Sequence, residues 1–299
     1  MIEIYYIVAL ILGLCVGSFL NVVIYRVPNG MSLIKPNSHC PKCGREIKWY
    51  DNIPVLSYVI LRGKCRFCKC HISFRYAFVE ILNAVLWVLC VYCFYNTSVL
   101  LMCLYAVVCS LLIVIALIDL EHMFILDRFI IMLLIVGVLL CVFTGNVAWT
   151  DRLIGLAAGG GVMLAFYGLG FVLFKREALG IGDIKLMAVC GLILGYKSVL
   201  FAIFVGAIVG AVVLSVVARQ KNAVVDDENN QNINDNQLKN CGDCRVAKNE
   251  IDSEVDCESE NEKIEGKRKE FPFAPFLCFG VLIAMFVGDF VINWYVNIF

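Results

Sequence analysis

Long apolar runs separated by short polar breaks set the pattern of this chain, and eight of them reach or approach the roughly 20 residues a helix needs to cross a bilayer. They cover residues 4 to 25, 77 to 95, 98 to 118, 129 to 146, 153 to 174, 184 to 196, 198 to 218 and 273 to 297. The expected fold is all-α: a polytopic integral membrane helix bundle of about eight transmembrane helices. The sixth run is the shortest, because "GDIKLMAVCGLILGY" carries Asp183, Lys185 and glycines, so seven or nine spans also fit. The first run begins "MIEIYY", without a basic start, and ends in "NVVIYRVP", without a small-residue cleavage site. It reads as a permanent anchor rather than a cleaved signal.

Composition agrees with this pattern, since 61% of the 299 residues are hydrophobic and 17% charged, too apolar for a soluble globular protein of this length. The net charge is zero but unevenly spread. Residues 26 to 75 hold ten Lys or Arg against Glu46 and Asp51, which places this loop in the cytoplasm and the N-terminus outside. Counting spans forward puts the connections at 119 to 128, 175 to 183 and 219 to 272 on the same cytoplasmic side.

Two inserts divide the chain. Residues 1–25 form the first span, 26–76 a compact cytoplasmic insert, 77–218 the membrane core, 219–270 a polar linker and 271–299 the last span. The linker is Asn-rich and acidic, with fourteen Asp or Glu against nine Lys or Arg, and almost no bulky apolar residues. Such a segment cannot offset its ordering entropy and is expected to be disordered.

Of the sixteen cysteines, Cys15, Cys90, Cys93, Cys103, Cys109, Cys141, Cys190 and Cys278 lie in or at the ends of apolar runs, where they act as small hydrophobes. Cys40, Cys43, Cys65 and Cys68 differ. They form C-x2-C, a 21-residue gap, then a second C-x2-C, on the turns "CPKC" and "CRFC". Two such knuckles supply four thiolates for a tetrahedral Zn2+, and a cytoplasmic loop is too reducing for stable disulfides. With four protein ligands the site would be closed and structural. Cys70 and His39 stand close enough to substitute, as second choices. "CGDC", Cys241 and Cys244, lacks a second knuckle and falls in the linker.

Charged groups within or at the edge of spans are few, and such groups mark function by default. Asp119 closes the third run in "IVIALIDLEHMFILD", Asp127 ends that motif, and Asp183 opens the sixth run in "EALGIGDIKLM". Two aspartates brought together can share one proton, one serving as base on a water and the other as acid. That is aspartic protease chemistry. Gly180 and Gly182 would remove side chains where an extended substrate approaches. The bland reading makes Asp183 and Asp127 helix N-caps.

The motifs "GSFLNVVIYRVP" at 17–28, "CPKC" with "DNIPVLSYVILRGKCRFCKCHISFRYAFVE" at 51–80, "IDLEHMFILD" at 118–127, "EALGIGDIKLM" at 177–187 and "FPFAPFL" at 271–277 resemble, in this order, the bacterial type IV prepilin leader peptidases. The resemblance covers nearly the whole chain apart from the linker. It implies a GxGD aspartic endopeptidase that removes the short basic leader of prepilins and pseudopilins at the cytoplasmic side of the inner (cytoplasmic) membrane. It also implies N-methylation of the new N-terminus with S-adenosylmethionine, which the presence of the cysteine insert favours. Carried over by motif, Asp119 and Asp183 are the catalytic pair, and Gly180, Gly182, Lys185 and Asp127 are supporting residues. Asn21 and Arg26 belong to the first motif. The partners expected are prepilin substrates and the lipid bilayer, with no nucleic acid. Two other classes compete: a transporter or channel using intramembrane carboxylates, and a zinc-dependent membrane scaffold whose aspartates only cap helices.

Overall fold

The computed structural model describes residues 2–144, 149–174, 180–239 and 272–296. Helices account for most of them: α1 (Ile2–Arg26), the short α2 (Leu56–Ile60), α3 (Phe74–Phe94), α4 (Val99–His122), α5 (Asp127–Thr144), α6 (Trp149–Phe174), α7 (Ile181–Leu194), α8 (Tyr196–Lys239) and α9 (Ala274–Val296). Among the described residues, α1, α3, α4, α5, α6 and the first part of α8 are long and apolar enough to cross a membrane. With the short α7 and with α9, the eight apolar runs all appear as helices. The chain is a multi-pass membrane protein.

The bundle consists of Met1–Ile208 with Pro272–Phe299. Its centre is α4, which packs on α1, α3, α5 and α9, while α7 packs on α5, α6 and α9. Outer faces carry exposed apolar side chains such as Ile7, Ile131 and Val172, a surface suited to lipid. Several polar groups inside are paired. Asn83 donates to the Gly13 carbonyl at 2.7 Å and accepts from Ser110 Oγ at 2.8 Å, and Trp87 Nε1 donates to Ser110 at 2.9 Å, so one network joins α1, α3 and α4.

Close helix approach depends on glycine at the α6–α7 contact. A Cβ at Gly191 would run into the carbonyl of Gly155, and one at Gly159 into the carbonyl of Met187. Without lipid-excluded apolar area to drive association, small residues of this kind let membrane helices gain van der Waals contact. Gly191→Val should push α7 off α6 and lower the melting temperature of the purified protein by several degrees. An unchanged melting curve would show that the contact contributes nothing.

Local signals set the two ends of α4. Ser98 caps α4, its Oγ accepting from Leu101 N at 3.1 Å. The other end of α4 stops at Met123, whose left-handed backbone (φ 57°) and N–H bond to the Asp119 carbonyl at 2.8 Å turn the chain toward α5. Helix α7 has 14 residues, about 21 Å of rise against a hydrocarbon layer of about 30 Å, so it cannot cross the layer alone.

The structure changes two sequence expectations here. The sixth run was expected to start after Asp183, whereas α7 begins at Ile181 with Gly180 as its N-cap, which places Asp183 inside the first turn. The stretch from residue 219 was expected to be disordered, yet α8 continues as helix to Lys239. Extending a formed helix avoids the cost of nucleation, so Asn- and Asp-rich sequence can follow an apolar span in helical form. Residues 240–271 of that segment, including Cys241, Cys244 and Cys257, lie outside the described residues. The second unit, Val209–Phe271, is therefore described only as the helix to Lys239.

Candidate active site

Asp119 and Asp183 come from opposite ends of their helices, one near the C-terminus of α4 and the other in the first turn of α7. Antiparallel packing brings these ends to the same end of the bundle. Both side chains are 6% exposed, and their charges lie close enough to act on one another. The Ala274 N–H, at the start of α9, lies beside Asp119, and the Gly180 N–H lies beside Asp183. Asp183 N–H donates to the Gly180 carbonyl at 3.1 Å, which holds it in the first turn of α7. Oδ2 of Asp119 and Oδ1 of Asp183 are buried and have no hydrogen-bond partner. Two buried acceptors of this kind suit a water or a peptide group that can satisfy both.

Other sequence-selected residues lie around this pair in different roles. Asp127 is not spent as a cap. Its Oδ1 accepts from Lys185 Nζ at 2.8 Å, tying the start of α5 to the second turn of α7. Both side chains are largely exposed, so Lys185→Ala should cost less than about 1 kcal/mol in a denaturant titration. A larger loss would mean that the pair has a buried function. The Gly182 position is filled from within, because a Cβ there would meet Ile125 Cβ at 3.0 Å. Its missing side chain seats α7 against the α4–α5 turn. Gly180 is exposed, and a Cβ on it would stand 3.3 Å from Asp183 Oδ2.

Two site residues carried no sequence signal of their own. Ala274 contributes only a backbone N–H, and "FPFAPFL" shows nothing of that beyond a proline at 275, as expected in a first helical turn. Glu80, buried on α3, accepts from Val55 N at 2.7 Å and anchors the insert to the bundle. Arg26 anchors its other end, donating to the carbonyls of Ser32, Leu33 and Pro36 at 3.0, 3.3 and 2.6 Å. Asn21 Nδ2 donates to the Tyr76 carbonyl at 3.1 Å. An ion pair of Arg75 at the start of α3 with Glu121, two residues past Asp119, shows that the insert and the two aspartates share one end of the bundle.

Within the insert, the Sγ atoms of Cys40, Cys43, Cys65 and Cys68 all lie within 4.8 Å of one another. Cys40 and Cys68 Sγ are 3.7 Å apart, against about 3.8 Å for the edge of a tetrahedron with metal–sulfur bonds of about 2.3 Å. The donor set therefore fits a tetrahedral metal ion. Backbone N–H groups of Cys43 and Lys42 pull the Cys40 thiol down to about 6, and the N–H of Cys70 leads in lowering Cys68. Both effects favour the thiolate that a metal requires.

Two family models cover most of the bundle: Bacterial Peptidase A24 N-terminal domain over residues 11–94, and Type IV leader peptidase family over residues 106–215. The first contains the four cysteines and the second contains Asp119 and Asp183. A prepilin leader peptidase/N-methyltransferase of Legionella pneumophila is 30% identical over 98% of this chain and 94% of its own length. The chain belongs to this family. A member from Neisseria gonorrhoeae is 33% identical over 68% of this chain and 79% of its own length. One from Myxococcus xanthus (strain DK1622) is 41% identical over 70% of this chain, a match spanning 63% of that relative. No solved structure matches. Membership makes the chain an enzyme of a family named for both leader peptidase and N-methyltransferase activity.

Proposed function

We propose that this chain is an aspartic endopeptidase that removes the leader peptides of type IV prepilins and pseudopilins at the cytoplasmic edge of the cell membrane. The observation that carries this reading is the pair Asp119 and Asp183, both buried, near enough for their charges to interact, and each with one oxygen that has no protein partner.

Two carboxylates in such a setting hold one proton between them, because joint ionisation at short range is unfavourable. The ionised member takes a proton from a water, which attacks the scissile carbonyl. The protonated member donates to the carbonyl oxygen as the tetrahedral intermediate forms, and a proton then passes to the leaving amine. No metal is needed for these proton movements, and the cysteine cluster serves elsewhere.

That cluster is assigned a structural Zn2+, held by Cys40, Cys43, Cys65 and Cys68; when bound, the ion cross-links two turns far apart in sequence. The N-terminus is placed outside and the insert, Asp119 and Asp183 inside, in accord with the basic insert. Methylation of the new N-terminus with S-adenosylmethionine is proposed from family membership alone.

Coexpression with a prepilin, followed by intact-mass measurement, tests the proposal. The expected product lacks its leader and carries one added methyl group. A full-length prepilin would overturn the peptidase reading, and a cleaved but unmethylated product would remove only the second activity.

A further inference from the structure

The cysteine cluster contains more sulfur than a tetrahedral ion can use. The two knuckles repeat one backbone design. In the first, Cys40 N–H donates to the Arg45 carbonyl at 3.0 Å and Gly44 N–H to the Cys40 carbonyl at 2.9 Å, with Gly44 left-handed. In the second, Cys65 N–H donates to the Cys70 carbonyl at 2.9 Å and Lys69 N–H to the Cys65 carbonyl at 3.0 Å, with Lys69 left-handed. A bridge closes each, His39 to Glu46 and Lys64 to His71.

Cys70 thus occupies the position that Arg45 holds in the first knuckle. Arg45 turns its guanidinium over the Phe67 ring, 4.9 Å from the centroid, so the turn itself does not require a thiol at this place. Cys70 instead turns into the cluster. Its Sγ lies 3.2 Å from Cys68 Sγ and 3.5 Å from Cys40 Sγ, as close as the 3.7 Å that separates the two ligands Cys40 and Cys68. The 3.5 Å to Cys40 Sγ lies near the tetrahedral edge of about 3.8 Å expected around one zinc ion, while the 3.2 Å to Cys68 Sγ is shorter, as for two sulfurs that would take one ligand position in turn. Cys68 is also the exposed member of the set, whereas Cys40 and Cys65 are buried and Cys43 and Cys70 are intermediate.

We propose that Cys70 is an interchangeable ligand for the Cys68 position, so that the metal is held by Cys40, Cys43 and Cys65 together with either Cys68 or Cys70. This rests on the metal assignment made above. The exchange replaces one thiolate by another two residues away, and the second knuckle keeps its Cys65 anchor throughout. The site therefore keeps its ion when the exposed Cys68 is alkylated or lost. Cys65, the buried member of the same knuckle, has no such substitute.

The test uses the full-length protein purified in detergent, with metal-to-protein ratio and the thiolate-to-cobalt absorption of the Co2+-loaded form as readouts. Cys68→Ser and Cys70→Ser should each keep one ion per chain and the absorption intensity of four thiolates. Cys65→Ser and the double variant Cys68→Ser/Cys70→Ser should each lose intensity or metal. If Cys68→Ser alone falls to the level of the double variant, or if the double variant keeps four-thiolate intensity, the interchange does not occur. Unaltered protein that binds neither zinc nor cobalt would overturn the metal assignment itself, a distinct result from failure of the exchange.

Discussion

Removing the metal from the purified protein is expected to open the insert to proteases while the helix bundle stays folded. Between Val27 and Ser73 only Cys40, Gly63 and Cys65 are buried, so this segment has no hydrophobic core to offset the entropy of ordering its backbone. What holds it is a set of local bonds: the Arg26 clamp on three carbonyls, the Glu80 anchor on Val55, and the fork of Arg66 on Asp51, with Nε to Oδ2 at 2.8 Å. Such bonds contribute about 1–3 kcal/mol each, whereas structural zinc sites bind with about 10–16 kcal/mol in peptides that fold around the ion. A chelator should therefore produce new cleavage sites confined to residues 27–73, and Cys40→Ser should reproduce them without chelator. The bundle should keep its melting transition, because its core lies in α1 and α3 to α9. Cleavage unchanged by chelation would mean that the clamp and anchors suffice and that the ion is not structural.

The second large effect concerns the two aspartates. Asp119→Asn and Asp183→Asn are each expected to slow leader removal by about 10²–10⁴-fold, the usual contribution of a positioned acid or base. Asparagine keeps the shape of the side chain, so folding and metal content should be unchanged. What it loses is the capacity to hold and pass the shared proton. Because the two groups act as one unit, the double variant should be no slower than either single one. Asp127→Asn should retain most of the activity, since its carboxylate is exposed and bonded to Lys185.

The spans were readable in the sequence because lipid requires helices that are apolar on all sides, and eight runs met that demand with few charges. The cysteine cluster was readable because a knuckle fixes its own spacing. The same reasoning counted pairs and so ranked Cys70 second, although its Sγ stands 3.2 Å from Cys68 Sγ. Asp119 and Asp183 could be selected as unusual charges at span edges, but what lies beside them could not. The N–H of Ala274 beside Asp119 belongs to α9, and no side-chain pattern encodes a backbone group brought in from a distant helix. Gly182 shows the opposite error: a glycine beside a candidate catalytic residue suggested room for substrate, and the space is taken by Ile125. The start of α7 was misplaced because Asp183 resembled a boundary residue, when Gly180 supplies the N-cap and the Asp183 N–H bonds back to it. Helical continuation into 219–239 was unreadable because composition reports the cost of nucleating a helix, and α8 had already met it.

The central claim is that Asp119 and Asp183 together perform the cleavage. Its most direct test is the initial rate of leader removal from a purified prepilin by the unaltered protein and by Asp119→Asn and Asp183→Asn, each matched for metal content and melting temperature. Loss of cleavage in both variants, with both matched properties intact, is the predicted result. Cleavage by either variant at the rate of the unaltered protein would contradict the claim and return the buried carboxylates to a structural or transport role.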